Sequence, residues 1–68
     1  MAKIVTLPAR LDANSVSDVE NIVLHALTDN KFLIVDFTQC RYISSIGIRL
    51  LLMSKKELIK KEGDIFIT

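Results

Sequence analysis

Two hydroxyls and a glycine break the apolar stretch "YISSIGIRLLL", from Tyr42 to Leu52, and few other positions in the chain offer reactive groups. There Ser44, Ser45 and Gly47 stand between two apolar blocks. A hydroxyl at such a junction either caps a helix or serves as a nucleophile or phosphate acceptor. Nucleophilic catalysis needs a base beside the hydroxyl. His25, the single histidine, projects nearly opposite the Val16, Val19, Val23 stripe, beside Asp18 and Asn21, and so reads as an exposed surface residue. Ser45 also lacks the G-x-S-x-G turn of serine hydrolases. Asp36 closes an apolar run with no second carboxylate or histidine near it in sequence. It is expected to accept hydrogen bonds from a loop or helix end rather than to hold a metal or act as a base. Cys40 is the single cysteine, so no intrachain disulfide forms, no zinc spacing exists, and a packing or loop thiol is expected. Gly47 and Gly63 are the two glycines, too few for a dinucleotide fingerprint or a phosphate loop. These residues point away from an enzyme, a metal or a cofactor and leave the serine pair.

The elements that must position those serines follow from periodicity. "KIVTLPARL", Lys3 to Leu11, is β-like through Ile4, Val5 and Leu7, and Pro8 removes an amide donor, which suits an edge or a bulge. Next, Val16, Val19, Val23, Ala26 and Leu27 recur at helical spacing. Asn14, Ser15 or Ser17 is available as N-cap, and Ser17 to Glu20 matches a capping box. "FLIVDF", Phe32 to Phe37, reads as a central strand buried on both faces. "TQCR" makes a loop, and Ser44 or Ser45 opens a second helix running to about Lys61, with Gly63 placed for a left-handed C-cap. "DIFIT" closes the chain as a strand. The order β-α-β-α-β, with a helix in each crossover, predicts an α/β fold: a small, mostly parallel sheet with helices packed on it. In such sheets function collects outside the carboxyl ends of the strands, and "TQCRYISSIG" leaves the carboxyl end of the most buried one.

The second helix carries two apolar arcs. Ile48, Leu51, Leu52, Leu58 and Ile59 are expected on the sheet, with Lys55 snorkelling inside that arc. Ile46, Leu50 and Met53 form a second arc, either covered by the first helix or open beside Ser45 as a partner or self-association surface.

Composition sets the limits. With 68 residues, 50% hydrophobic, 25% charged and net charge +1, residues 1–68 read as one domain. A chain of this size buries only about 60% of its unfolded surface, so self-association is expected. Near-zero charge argues against nucleic acid. Lys55, Lys56, Lys60 and Lys61, diluted by Glu57 and Glu62, read as a solvated helix face. No apolar run approaches the roughly 18 residues that span a bilayer, and "MAKIVTLPAR" lacks a basic segment followed by a long apolar one. A cytoplasmic protein without membrane insertion is expected.

The stretch from Phe32 to Thr68 resembles the central part of a STAS domain, the family of bacterial anti-sigma-factor antagonists. That family shows a buried strand ending in Asp, a short loop, an aromatic-aliphatic pair, then Asp-Ser-Ser-Gly-Leu leading into a helix that ends near Gly before another strand. Asp36 matches the strand-ending acid, where it lends structural support. Tyr42 and Ile43 match the pair, Ser44 the motif's Asp, Ser45 its phosphorylatable Ser, and Gly47 and Ile48 its Gly-Leu. "PARLDA" resembles the end of the strand before the family's first helix. The chain departs from the motif at Ser44, which replaces an acid, and at Ile46, which replaces a second Ser or Thr. Set against that family, residues 1–68 are expected to form a single domain lacking the extra first strand and the helix and strand elements that follow "DIFIT", whether as a minimal version, a fragment or a piece completed by another copy.

The resemblance implies a non-enzymatic regulator of transcription. Its unphosphorylated form would bind an anti-sigma factor that is also a serine kinase, and phosphorylation of Ser45 would end the interaction. ATP would belong to that partner, and Ser44, Ser45, Ile46, Gly47, Leu50 and Met53 would form the binding surface, with Gly47 leaving room for close approach. From residue physics alone, Ser44 and Ser45 as plain helix caps come first; the resemblance reverses that order. The alternative it also carries is a scaffold module of a transporter or lipid-trafficking complex, without phosphorylation.

Overall fold

The computed structural model describes residues 2–68. The elements run β1 (Ala2–Thr6), β2 (Arg10–Leu11), α1 (Val16–Asp29), β3 (Phe32–Asp36), β4 (Tyr42–Ile43), α2 (Ser45–Lys60) and β5 (Asp64–Ile67). Branched residues in β1, β3 and β5 favour extended backbone, and these strands form one parallel sheet in the order β1-β3-β5. β3 is central, and Ile4, Ile34 and Phe66 stand side by side across it. The fold is therefore α/β with a parallel sheet and two helices packed on it.

The first extended segment does not run unbroken to Leu11. β1 stops at Thr6, the chain passes through Pro8, and β2 pairs with β4 in a separate parallel ladder that sets Arg10 against Tyr42 and Leu11 against Ile43. Pro8 has no amide to give to a ladder, so pairing lapses there. Between the two ladders, the Leu7 amide donates to Asp36 O at 3.0 Å, and the Arg41 and Tyr42 amides both donate to Ala9 O.

Burial alternates along β3 rather than covering both faces. Leu33 and Val35 are buried with Val5 of β1, under the helices. The opposite face leaves Ile4 61% and Phe66 51% exposed, with the Phe32 and Phe66 rings 6.3 Å apart. The reason is that α1 packs on β1, α2 on β5, and the helices on each other. Both helices thus serve the same side.

Val19, Val23, Ala26 and Leu27 of α1 are buried, the stripe that helical spacing selects. The helix begins at Val16 with Ser15 in the N-cap position, so Ser17 lies inside the first turn and the Ser17 to Glu20 capping box does not form. In α2 the buried line is Gly47, Leu50, Ser54 and Leu58, with Leu51 half-buried. Ile48, Leu52 and Ile59, expected on the sheet, are 47%, 57% and 53% exposed. Two small residues, Gly47 and Ser54, let the helix approach closely and turn its line of contact away from the bulkiest side chains. Ser54 satisfies its hydroxyl by donating to Leu50 O at 2.8 Å. Lys55 is exposed and pairs with Asp64 at 3.3 Å.

The helix ends as a Schellman turn: the Glu62 amide donates to Ile59 O and the Gly63 amide to Leu58 O. The left-handed residue is Glu62, with φ of 64°, and Gly63 has no positive φ. Gly63 is required for space instead, because a Cβ there would lie 1.7 Å from Lys31 O.

Candidate functional site

The candidate site lies where the β2–β4 ladder hands the chain to α2. The Ser44 amide donates to Leu11 O at 2.9 Å, which ties the helix start to β2. Gly47 seats the first turn on the ladder. A Cβ at that position would lie 2.8 Å from Leu11 Cγ and 2.9 Å from Ile43 Cγ1. The missing side chain makes room for Leu11 and Ile43, not for an approaching partner, and Gly47 itself is buried.

Ser44 occupies the N-cap position in extended backbone, with φ of −88° and ψ of 172°. Its carbonyl accepts from the Ile48 amide at 3.1 Å. The side chain makes no capping hydrogen bond, and Ser44 Oγ is buried without a partner among the described residues. Ser45 is the first helical residue and is exposed. At this end of a helix the first-turn amides have no intrahelical acceptor, and the dipole favours an anion. No acidic residue stands in the first turn of α2, so that end keeps its positive character.

The remaining candidate residues divide by burial. Ile46 and Met53 are 42% and 53% exposed; with Arg49 they line a shallow groove against Val16 and Glu20 of α1. Leu50, at 6% exposure, belongs to the core beneath that groove. The expected second arc is therefore split, its centre covered by α1 and its flanks open. Leu50 and Gly47 offer no surface for docking, whereas Ser45, Ile46 and Met53 do.

Asp36 sits at the carboxyl end of β3. Its Oδ1 accepts from the Thr38 amide at 2.8 Å and from the Thr38 hydroxyl. The hydroxyl contact, then the amide contact, holds the carboxyl below its usual range. That acid shapes the loop leading to Tyr42. His25 is exposed on α1, its Nδ1 2.8 Å from Asn21 O, and Cys40 Sγ lies 3.5 Å from Tyr42 O. Among the described residues no cluster of His, Cys, Asp or Glu could hold a metal ion.

The Arg10 guanidinium stacks over the Tyr42 ring, 4.5 Å from its centroid, and Arg10 Nε lies 3.4 Å from Asp12 Oδ2. Sequence reasoning missed this pair at the rim of the site, because it depends on the parallel register that sets Arg10 against Tyr42. Reading "PARL" and "RYI" as adjacent strands would have been the signal.

No helix among the described residues is long and apolar enough to cross a membrane. Searches of curated proteins and of solved structures return no match. The family model described as "STAS domain" matches residues 2–68. With the strand-ending Asp36, the Tyr42-Ile43 pair and a serine-opened helix in the order that family shows, the chain belongs to the STAS domain family.

Proposed function

We propose that this protein is a non-catalytic, cytoplasmic bacterial regulator of the anti-sigma-factor-antagonist kind, and that Ser45 is its phosphoacceptor. The observation that carries this reading is the position of Ser45: exposed, first in α2, at an amide end with no acid in its own first turn, with Ile46 and Met53 exposed on the same helix. The unphosphorylated surface docks an anti-sigma factor that is also a serine kinase, through the exposed hydroxyl and those apolar side chains. ATP is consumed by the partner. Phosphorylation adds about −1.5 to −2 charges and three acceptor oxygens, which turns a neutral docking surface into an anionic, hydrated one. The helix end tolerates that charge in the free protein. Burying it unpaired under a partner costs several kcal/mol.

Incubation with the kinase and ATP, followed by mass mapping, tests the assignment. The expected result is one phosphate on Ser45; phosphate on Ser44 alone, or none, overturns it.

A second reading, a scaffold module without phosphorylation, draws on Ser44, which stands where the motif has an acid and whose hydroxyl is buried instead of facing solvent. Gene neighbours separate the two: an adjacent histidine-kinase-like ATPase supports the switch, and transporter subunits support the scaffold.

A further inference from the structure

The helix layer carries opposite charge on its two halves. α1 holds Asp18, Glu20 and Asp29 with no lysine or arginine, whereas α2 holds Arg49, Lys55, Lys56 and Lys60 against Glu57 alone. Each half also shows apolar side chains to solvent. Leu52 and Ile59, both more than half exposed, line a groove on α2 with Lys55, Lys56 and Lys60. Ile22, 49% exposed, lines a groove on α1 with His25, Asp29 and Lys3 of β1. Asp18 stands one turn before Ile22 on the same side of the helix.

The topology places these grooves at opposite ends of the layer. α1 packs on β1 and α2 on β5, and β1 and β5 are the two edges of the sheet among the described residues. All its strands run parallel. A second copy laid alongside in the same orientation therefore brings its β1 edge to the first copy's β5 edge and its α1 to the first copy's α2. Each edge presents amide and carbonyl groups able to continue the ladder.

We propose that the protein self-associates head to tail, the basic, apolar flank of α2 receiving the acidic flank of α1 from a second copy. Lys56, which forms no salt bridge among the described residues, and Lys60, whose exposed pair with Glu57 at 3.5 Å is exchanged, meet Asp18 and Asp29, while Leu52 and Ile59 cover Ile22. Lys55 stays with Asp64, and Lys3 is the one lysine on the α1 groove. The interface uses different surfaces on the two copies, so association extends beyond a dimer unless a ring closes. Charge complementarity selects this arrangement over contact through the open sheet face around Ile4 and Phe66, which shows no such pairing.

Sedimentation velocity over a concentration series at low salt tests the proposal. Wild type is expected to shift to species larger than a dimer. Lys56→Glu/Lys60→Glu and Asp18→Lys/Asp29→Lys, each checked for folding by circular dichroism, are expected to associate at least about tenfold more weakly alone. An equimolar mixture of the two is expected to restore association, because each reversed flank then meets its complement. Ile34→Thr, on the open face of the central strand and away from both edges, is expected to change nothing. A wild type monomeric at all concentrations, charge reversals without effect, a mixture that stays dissociated, or loss of association in a folded Ile34→Thr would each overturn the proposal.

Discussion

Serine stands at the start of each helix, and the two starts are built in opposite ways. At α1, Ser15 Oγ donates to Arg10 O at 2.7 Å and accepts from the Asp12 amide at 3.1 Å. Asp12 in turn accepts from the Asn14 amide through Oδ1, and from the Ser15 and Val16 amides through its carbonyl. The polar groups of that turn are spent on one another. At α2, Ser44 Oγ has no partner, Ser45 is exposed, and the first turn carries no acid. Neither serine caps its helix amides, but the turn leading into α1 is closed by its own side chains and Asp18 stands in its first turn, whereas the α2 start is held by backbone and packing alone. Its polar capacity remains available to a phosphate or a partner, and this difference is why the proposed switch is placed on Ser45 and not on the serines of α1.

Substitution can break that contrast, and the largest effect is expected at Gly47. A Cβ pressed against Leu11 and Ile43 should cost about 1–3 kcal/mol, lowering Tm by roughly 5–20 °C for Gly47→Ala in a chain of this size. Thermal unfolding by circular dichroism reads it, and an unchanged Tm would mean that packing does not hold the α2 start. Ser15→Ala comes next. It removes both hydrogen bonds that close the turn before α1 and should cost about 1–2 kcal/mol.

Acid should sharpen the contrast further. The Asn14 amide, then Arg10, hold the Asp12 carboxyl below its ordinary value of 3.8. A carboxyl lowered in the folded state contributes stability above the unfolded value, and that contribution is lost as pH falls through the folded one. Amide NMR shifts of Asp12 to Val16 are therefore expected to titrate at pH below about 3.8, while those of Ser44 to Gly47 show no matching step. The smallest effect belongs to Ser44→Ala. Removing a buried hydroxyl that bonds nothing should leave stability within about 0.5 kcal/mol or raise it. A loss of about 1 kcal/mol or more would show that Ser44 does cap its helix.

Much of this was legible in the sequence. The order of the three main strands and two helices, the parallel sheet, the central place of Phe32 to Asp36 and the α1 stripe follow from periodicity, because local spacing decides which side chains share a face, whereas the two-residue strands β2 and β4 are too short to show a period. What was not legible depends on how elements meet. The line of burial on α2 was misread because apolar residues occupy nearly every side of that helix, and two small residues, Gly47 and Ser54, decide which side goes in. Likewise Glu62 takes the left-handed turn because Gly63 is needed for clearance from Lys31 O. At the site, the serine pair was visible as a motif. That Ser44 turns inward, that Leu50 and Gly47 are covered, and that Arg10 stacks on Tyr42 required the register of the β2–β4 ladder.

Charge at a single hydroxyl decides the proposed switch, and titrating the proposed partner, an anti-sigma factor with serine-kinase activity, against wild type, Ser45→Ala and Ser45→Asp measures it. Ser45→Ala is expected to bind within about threefold of wild type and Ser45→Asp about 100-fold or more weakly. Equal affinities for Ser45→Asp and wild type would rule the switch out.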